Sequence, residues 1–216
     1  PLLGSLSHLS TNSPCIGTGS TNYSRGTDLD GEAWGVPPSM GCDEIVIGSI
    51  TGGLTAVALS HLASAPVGSN INFTAFITGR TTRSLWNFAD GGAATNAPIF
   101  SHAFSTAGTY SVTITAFNES FPVGVAGAVT VQVYNVTDFF VATNGSDAAA
   151  GTNWATAKQT IQAAVDLTRI GDTVWVSNGI HSAGGRVVFG TMTNRVAITN
   201  AITVRSLNGP GVTAIR

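Results

Sequence analysis

The residues best suited to chemistry are three acids that fall within one short stretch, Asp28, Asp30 and Glu32. Carboxylates at alternate positions of a turn are part of what a calcium-binding loop provides. A complete loop also needs further oxygen ligands that end in a bidentate carboxylate at a fixed spacing, and the sequence lacks them. We favour a solvated acidic turn, with the three acids as candidate calcium ligands in the alternative interpretation.

No other combination of residues in the sequence forms a catalytic set. The four histidines are isolated in the sequence and none has a metal-type spacing to another His or Cys. Enzymes that cleave polysaccharides work with clustered carboxylates, and the acids here do not form such clusters. The sequence therefore predicts a protein that is not an enzyme and needs no cofactor.

The two cysteines, Cys15 and Cys42, are candidates for a disulfide. Polar chain rich in Gly and Pro separates them, and a bridge closing a loop of this size would contribute about 3 kcal/mol through chain entropy. Two unconnected buried thiols are the alternative, because a lone pair of cysteines says little about the redox compartment.

Five asparagines lie in N-x-[ST] sequons and are candidate glycosylation sites. They are Asn22, Asn72, Asn118, Asn135 and Asn144. Only 9% of the residues are charged, so hydroxyls and amides must supply the polarity of the surface. Attached glycans would add the solubility that charges normally give, and glycans are therefore candidate partners, although the sequons are only slightly more frequent than chance predicts.

Composition excludes two classes of partner. A net charge of -2 offers no basic stripe for binding nucleic acid. The apolar runs are much shorter than the roughly 20 residues of a membrane span, so none is expected. The chain opens without a signal peptide, so we expect any secretion signal to be removed or to lie outside this segment.

The elements that must position these residues are mostly strands. Strand-length runs at residues 54–59, 70–78, 84–88, 109–117 and 128–134 follow one another at short intervals. In residues 110–117 large apolar side chains alternate with hydroxyls, as a half-buried antiparallel strand requires. The spacing predicts a small β-sandwich.

Shorter elements are predicted on either side. Residues 1–50 are rich in turns and leave room for strands only near 15–16 and 45–47. One helix is predicted over residues 157–168, with Thr156 as its N-cap and Gly171 beyond its end. Further strands are predicted at 139–143, 173–177, 186–189, 196–199 and 202–206.

The central segment carries a specific resemblance. The letters WNFADG at residues 86–91, HAF at 102–104 and AGTYSV at 107–112 are similar to the WDFGDG, HTY and GTYTV signatures of polycystic kidney disease (PKD) domains. The resemblance covers residues 51–136 and implies a PKD or Ig-like β-sandwich. Asn87 and Ala89 depart from the signature's acid and glycine, so the resemblance does not imply a cation at that turn.

The resemblance also implies structural roles for four residues. Trp86 would fill the space between two sheets. Asp90 and Gly91 would form a tight turn. Tyr110 would lie at a strand start as in a tyrosine corner. These residues are expected to determine the fold and to perform no chemistry.

The flanking segments resemble the two ends of another fold. Residues 138–216 are similar to the opening of bacterial right-handed parallel β-helix proteins of the secreted, choice-of-anchor type, in which a first strand and a helix cap the stack. Residues 12–48, with SPCIGTGS, TDLDGEAWG and GCDEIVIG, resemble the strings that close such β-helices. The predicted domains are a β-helix end at 1–50, a PKD-like sandwich at 51–136 and a β-helix start at 137–216.

This order predicts an extracellular or cell-surface structural module. The closing piece precedes the opening piece, so neighbouring molecules could complete each other head to tail through β-edges and form a filament or surface fibre. A carbohydrate-binding or adhesion module is the first alternative, with Trp34 and Trp154 as candidate aromatic platforms, although simple packing against local apolar surface is the favoured role of both rings. A non-catalytic part of a β-helix lyase or hydrolase is the second.

Overall fold

The computed structural model describes all 216 residues, which separate into two compact units, Pro1–Tyr134 and Asn135–Arg216. The predicted all-β class is confirmed, since fifteen strands are accompanied by one short α-helix and one 3-10 helix. Residues 1–50 and the sandwich both lie in the first unit. None of the helices has the length and hydropathy of a membrane span.

The sandwich in the first unit consists of two sheets. Its strands are β1 Thr55–Ser60, β2 Ser64–Pro66, β3 Asn70–Thr78, β4 Arg83–Asn87, β5 Ala93–Thr95, β6 Ile99–Ala103, β7 Gly108–Phe117 and β8 Val125–Tyr134. One sheet has the order β1-β3-β6 and the other has the order β2-β8-β7-β4-β5. Neighbours are antiparallel except β2 and β8, which are parallel.

The sandwich core follows from the alternation of the strands. In β7 Val112, Ile114 and Ala116 are buried while the residues between them are more exposed. The largest side chains in this core have almost no exposed surface: Trp86, Phe73, Phe88, Phe104 and Ile71. Their rings pack against one another, with Phe73 5.9 Å from Trp86 and 5.5 Å from Phe88 between ring centroids.

Residues 1–50 fold without strands. Two isolated bridges, Leu3 with Leu9 and Thr27 with Ala33, are the only strand-like pairs there. The strands predicted at 15–16 and 45–47 are therefore wrong. Turns take their place, since Ile16 N–H donates to Ser13 O and Ser49 N–H donates to Val46 O.

The second unit contains parallel strands. Its strands are β9 Asp138–Val141, β10 Thr173–Val176, β11 Gly179–His181, β12 Arg186–Phe189, β13 Met192–Asn194, β14 Thr203–Ser206 and β15 Thr213–Ile215. The order β14-β10-β9 forms one parallel sheet, β11 and β15 form another, and β12 and β13 form an antiparallel hairpin. Phe139, Val174 and Val204 are in register across the first sheet. The parallel β-helix itself stays a prediction.

The helix of the second unit is shorter than predicted. Helix α1 spans Ile161–Val165, and a 3-10 helix spans Trp154–Thr156. The predicted N-cap Thr156 is wrong, because Lys158 forms a parallel bridge with Val141 and the helix starts only after it. The N-cap is Thr160, whose hydroxyl accepts the N–H of Ala163. Leu167 and Thr168 donate to carbonyls three residues back, which tightens the last turn and ends the helix before 168.

The strand predicted at 196–199 is also absent. Ala197 N–H donates to the side-chain Oε1 of Gln162, and Ala197 O accepts from Nε2 of the same side chain. The buried side-chain amide of Gln162 thus makes the hydrogen bonds to the Ala197 backbone that a neighbouring strand was expected to make.

Candidate functional site

A cluster of polar side chains in residues 1–50 brings together His8, Asp30 and Asp43, which we call the His8 cluster. Their ligand-type atoms all lie within 4.8 Å of one another, and no other group of three or more such side chains meets this condition. His8 and Asp43 are buried, and Asp30 is exposed as a residue. Sequence reasoning missed His8 and Asp43, since 35 positions separate residues 8 and 43.

His8 is positioned by a short turn. Ser5 Oγ accepts the backbone N–H of His8 at 3.1 Å and lies 2.8 Å from its ring atom Nδ1. Ser7 Oγ lies 3.2 Å from the same ring atom. Nε2 then faces Asp30, 3.3 Å from Oδ2. The ring is therefore held from one side by hydroxyls and presents its other nitrogen to a carboxylate.

Asp28 shapes the acidic turn from within. Its Oδ1 accepts the backbone N–H groups of Asp30 at 3.0 Å and Glu32 at 2.7 Å, and its Oδ2 accepts the N–H of Glu44 at 2.9 Å. Asp28 is buried, so these three bonds replace water around its charge.

Arg80 forms ion pairs with the other two acids of the turn. Its Nε donates to Asp30 Oδ2 at 2.9 Å, and its Nη2 forms an ion pair with Glu32. The three predicted calcium ligands, Asp28, Asp30 and Glu32, thus face different protein groups. The structure places them neither around one shared centre nor in a freely solvated turn.

Glu44 joins two loop segments. Its carboxylate accepts the backbone N–H groups of Gly35 and Ser39 and the hydroxyl of Ser39. Burial alone raises the pKa of Glu44, but the hydrogen bonds from Ser39, Gly35 and Ile45 together hold it below its usual value. At neutral pH the Glu44 side chain is therefore ionised and links the two loop segments through its hydrogen bonds.

Asp43 has the opposite environment. Burial raises the pKa of Asp43 to about 6, and the negative charges of Asp30 and Asp28 add to the rise, while the Leu9 N–H and His8 oppose it. Leu9 N–H donates to Oδ2 at 2.7 Å. Asp43 takes part in none of the ion pairs of this structure.

The four residues expected to determine the fold lie in the sandwich. Trp86 is fully buried between the sheets and donates from Nε1 to Ala97 O at 2.8 Å. Tyr110 lies near the start of β7 and donates its hydroxyl to Thr106 O at 3.0 Å, four residues upstream, as in a tyrosine corner.

Asp90 and Gly91 form the tight turn between β4 and β5. Gly91 has a φ of 93°, which favours glycine, and Asp90 Oδ1 accepts the N–H of Gly92 at 2.9 Å. Asp90 Oδ2 lies 2.7 Å from His102 Nε2. Burial raises the pKa of Asp90, but the hydrogen bonds from His102 and Gly92 outweigh it and lower the pKa below 3.8.

The structure differs from the predicted disulfide. Cys15 and Cys42 are both free, with Cys15 half-buried and Cys42 exposed. The Cys42 thiol lies 3.5 Å from Ser7 O as a weak donor. Cys15 is held by its backbone, since its carbonyl accepts the N–H of Met40.

The sequons fall into two groups. Four of the asparagines are exposed: Asn22, Asn72, Asn135 and Asn144. Asn118 is buried, and its Nδ2 donates to the carbonyls of Gly52 and Arg80 while its Oδ1 accepts the N–H of Phe121. The folded chain has no room for a glycan on that nitrogen, so Asn118 is wrong as a candidate site.

The two candidate platform tryptophans differ in their surroundings. Trp34 is half-buried and lines a concave site of about 250 Å³ together with Tyr23, Pro38 and Met40. Trp154 is 42% exposed and meets Phe140 edge to face, 4.8 Å between ring centroids. Only Trp34 of the two lies in a concavity large enough for part of a small ligand.

Two packed sheets with antiparallel neighbours, a buried tryptophan and a tyrosine corner define an Ig-like β-sandwich module. Residues 55–133 match the family model described as PKD domain. The chain therefore contains a PKD domain at these positions, which confirms the central resemblance. A comparison with curated proteins finds no match.

Three solved structures are similar to part of the chain. A structure from work on the promiscuous specificity of carbohydrate-binding modules of the β-sandwich superfamily is 19% identical with a TM-score of 0.36, covering 41% of this chain and 37% of that chain. The PKD1 domain of Vibrio anguillarum Epp is 17% identical, with a TM-score of 0.32 and coverage of 39% and 96%. The PKD domain of the human VPS10 domain-containing receptor SorCS2 is 19% identical, with a TM-score of 0.33 and coverage of 45% and 94%.

Proposed function

We propose that the chain is a non-catalytic extracellular module that self-associates head to tail into a filament or surface fibre. The observation that supports this is the free strand edge of the second unit. Strand β14 pairs only with β10, and β15 pairs only with β11. Unpaired N–H and C=O groups along a strand are a template for a strand from another chain.

The side chains near this edge favour association. Leu207, Val212 and Ile215 are large apolar residues that remain about half exposed. Thr203 and Leu207 donate their N–H groups to carbonyls on the β10 side. Because N–H directions alternate along a strand, the N–H groups of Val204 and Ser206 point to the free side of β14.

The partner we propose is residues 1–50 of a second copy. Residues 43–46 have no ladder partner, and the exposed Val46 and Ile47 offer apolar surface. A contact between unlike surfaces of identical molecules is heterologous and need not close, so repetition produces an open filament. The PKD domain would act as a rigid spacer along it.

Electron microscopy and sedimentation of the purified chain test this proposal. The wild type should form filaments, and Ser206→Pro should abolish them because proline removes an outward N–H without removing a bond to β10. Ser206→Ala keeps the N–H and should assemble as the wild type does. Monomeric wild type at micromolar concentration under native conditions, or filaments of a folded Ser206→Pro variant, would contradict the proposal.

A carbohydrate-binding role is a second candidate, favoured by the concave site beside Trp34. Tyr23 is 87% exposed at this site, and aromatic faces of this kind stack on sugar rings. Oligosaccharide titration should change the tryptophan fluorescence of the wild type and of Trp154→Ala, but not of Trp34→Ala. Equal responses of both variants would argue against this site.

Glycosylation at exposed sequons would complement the sparsely charged surface. Exposed Asn72 can accept a glycan, whereas the amide of Asn118 is already used in the fold. In a host that performs N-glycosylation, intact mass should fall by one glycan for Asn72→Gln and should keep every glycan for Asn118→Gln. Loss of a glycan in Asn118→Gln would show that modification precedes folding there.

A further inference from the structure

The His8 cluster has the spacing of a metal site. His8 Nε2 lies 3.3 Å from Asp30 Oδ2, and the ligand-type atom of Asp43 is within 4.8 Å of both residues' ligand atoms. Two ligands bound to zinc at about 2.0–2.2 Å in a tetrahedron lie roughly 3.3 Å apart. One pair is thus already at the distance that a shared ion requires, and a small movement of Asp43 would bring in the third ligand.

A small cavity adjoins all three residues of the His8 cluster. It measures about 10 Å³ and is lined by His8, Asp30 and Asp43 among other residues. That is close to the space a single water-sized sphere occupies. Asp43 is 2% exposed, and the hydrogen bond from Leu9 uses only Oδ2. Its Oδ1 therefore has lone pairs that no protein donor uses.

The charge around the cavity is strongly negative. Five carboxylates belong to this region: Asp28, Asp30, Glu32, Asp43 and Glu44. Arg80 is the one guanidinium among them, and it pairs with Asp30 and Glu32. Asp43 has no cationic side chain in an ion pair, so a bound divalent cation would supply the missing countercharge.

The groups around the ligands suit metal binding as well. Ser5 and Ser7 lie at hydrogen-bond distance from His8 Nδ1, and a serine hydroxyl can accept from an Nδ1–H. In the tautomer that carries its proton on Nδ1, Nε2 is unprotonated, as a metal ligand requires. Arg80 donates to Asp30, as outer-shell groups commonly do for a ligating carboxylate.

The geometry points to a binding site for a divalent transition metal of the zinc type, formed by His8 Nε2 and the carboxylates of Asp30 and Asp43. The imidazole nitrogen favours zinc over calcium, which takes oxygen ligands. Asp30 is the exposed member, so solvent completes the coordination sphere on its side. The ion would tie together three separate stretches of residues 1–50 that no strand pairing holds.

Zinc titration of the chelator-treated full chain, by calorimetry and thermal unfolding, tests the site. We expect one zinc per chain and a higher Tm with zinc, with no comparable effect of calcium or magnesium. His8→Gln and Asp43→Asn should each weaken zinc binding by at least about 10-fold, since loss of an outer-shell partner alone costs about 10–100-fold. Cobalt bound in place of zinc should give the visible absorption of a tetrahedral site.

His61→Gln is the matched control, because His61 is an exposed histidine outside the cluster. It should bind zinc as the wild type does. Failure of the wild type to bind at millimolar zinc, or equal weakening by His8→Gln and His61→Gln, would overturn the proposal. If Asp43→Asn unfolds by circular dichroism, the His8→Gln and His61→Gln pair decides the matter alone. Assembly of the chain into filaments has no bearing on these outcomes.

Discussion

The PKD domain and residues 1–50 share one compact unit but are held together in different ways. The PKD domain buries a continuous set of aromatic and aliphatic side chains between two sheets. Residues 1–50 bury few large apolar side chains, among them Leu9 and Ile50, and bury Asp28, Asp43 and Glu44 beside them. The first region depends on apolar burial, and the second depends on carboxylates that accept backbone N–H groups.

Because of this difference, the two regions should respond differently to acid. Apolar burial changes little with pH, whereas a carboxylate acts as a double or triple acceptor most strongly when it is ionised. The loop that Glu44 holds should therefore loosen in acid while the sandwich stays folded, because the folded pKa of Glu44 is lowered, whereas the raised pKa of Asp43 acts in the opposite direction. Four substitutions and one change of pH, taken from the largest expected effect to the smallest, test this contrast.

Trp86→Ala should destabilise the sandwich most. The change removes the largest fully buried side chain and leaves a cavity between the sheets, which costs about 3–5 kcal/mol. Denaturant unfolding followed by circular dichroism measures the loss. Trp154→Ala, which removes a 42% exposed ring in the other unit, is the control and should leave sandwich unfolding unchanged. Equal losses in both variants would contradict the role of Trp86.

Glu44→Ala should loosen residues 35–44 without unfolding the sandwich. It removes the acceptor of three hydrogen bonds and leaves buried N–H groups unsatisfied, at a cost of about 2–3 kcal/mol in local stability. Hydrogen exchange should speed up at Gly35 and Ser39 and stay slow in β7. Glu119→Ala removes an exposed carboxylate that accepts only from Gly48, and it should have a smaller effect.

Acid should reproduce the Glu44 effect in the wild type. The folded pKa of Glu44 is lowered from 4.5, so its stabilisation is complete above that value and is lost as the pH falls through the folded pKa. After correction for the intrinsic exchange rate, the protection of the Ser39 N–H should therefore fall as the pH drops below 4.5 in the wild type, with no matching fall in Glu44→Ala. An equal loss of protection in acid in the wild type and in Glu44→Ala would show that a group other than Glu44 causes the acid sensitivity.

Tyr110→Phe should weaken the sandwich modestly. The ring stays in place, but the hydroxyl no longer donates to Thr106 O, which costs about 1 kcal/mol. The midpoint of denaturant unfolding should fall with no change in slope. Thr109→Val, which alters a neighbouring exposed position of β7, is the control and should change stability less.

Asp90→Asn should have the smallest effect. Asp90 is exposed as a residue, so solvent screening limits its interaction with His102 to below about 1 kcal/mol. Its folded pKa is lowered from 3.8, so the difference between wild type and Asp90→Asn should shrink as the pH falls through that lower value. A difference that grows in acid would contradict this sign.

Local patterns predicted the sandwich well. Strand β3 spans Asn70–Thr78 as its alternation indicates, and β4, β7 and β8 differ from their predicted bounds by a few residues. Strands β2, β5 and β6 were missed. Two of them, β2 and β5, have only three residues each, which is too few to show an alternation of apolar and polar residues.

The His8 cluster could not be predicted because its contacts are between residues far apart in sequence. His8 meets Asp30 across 22 positions, and Leu9 donates to Asp43 across 34. Arg80, from the loop after β3, also enters the cluster. A turn-rich sequence has no periodicity that would predict such contacts. The sequence therefore predicts the acids in a local turn and His8 as an isolated histidine.

For a glycosylated chain, the position of Asn118 would set the order of folding and glycan transfer. Its amide joins Gly52, Arg80 and Phe121, so it can take its place only as a free amide. A cell that transfers glycans to unfolded chains would trap molecules modified there before the sandwich closes. Rapid folding after synthesis, or glycan transfer only to finished molecules, would spare this sequon and leave the exposed asparagines to carry the sugar.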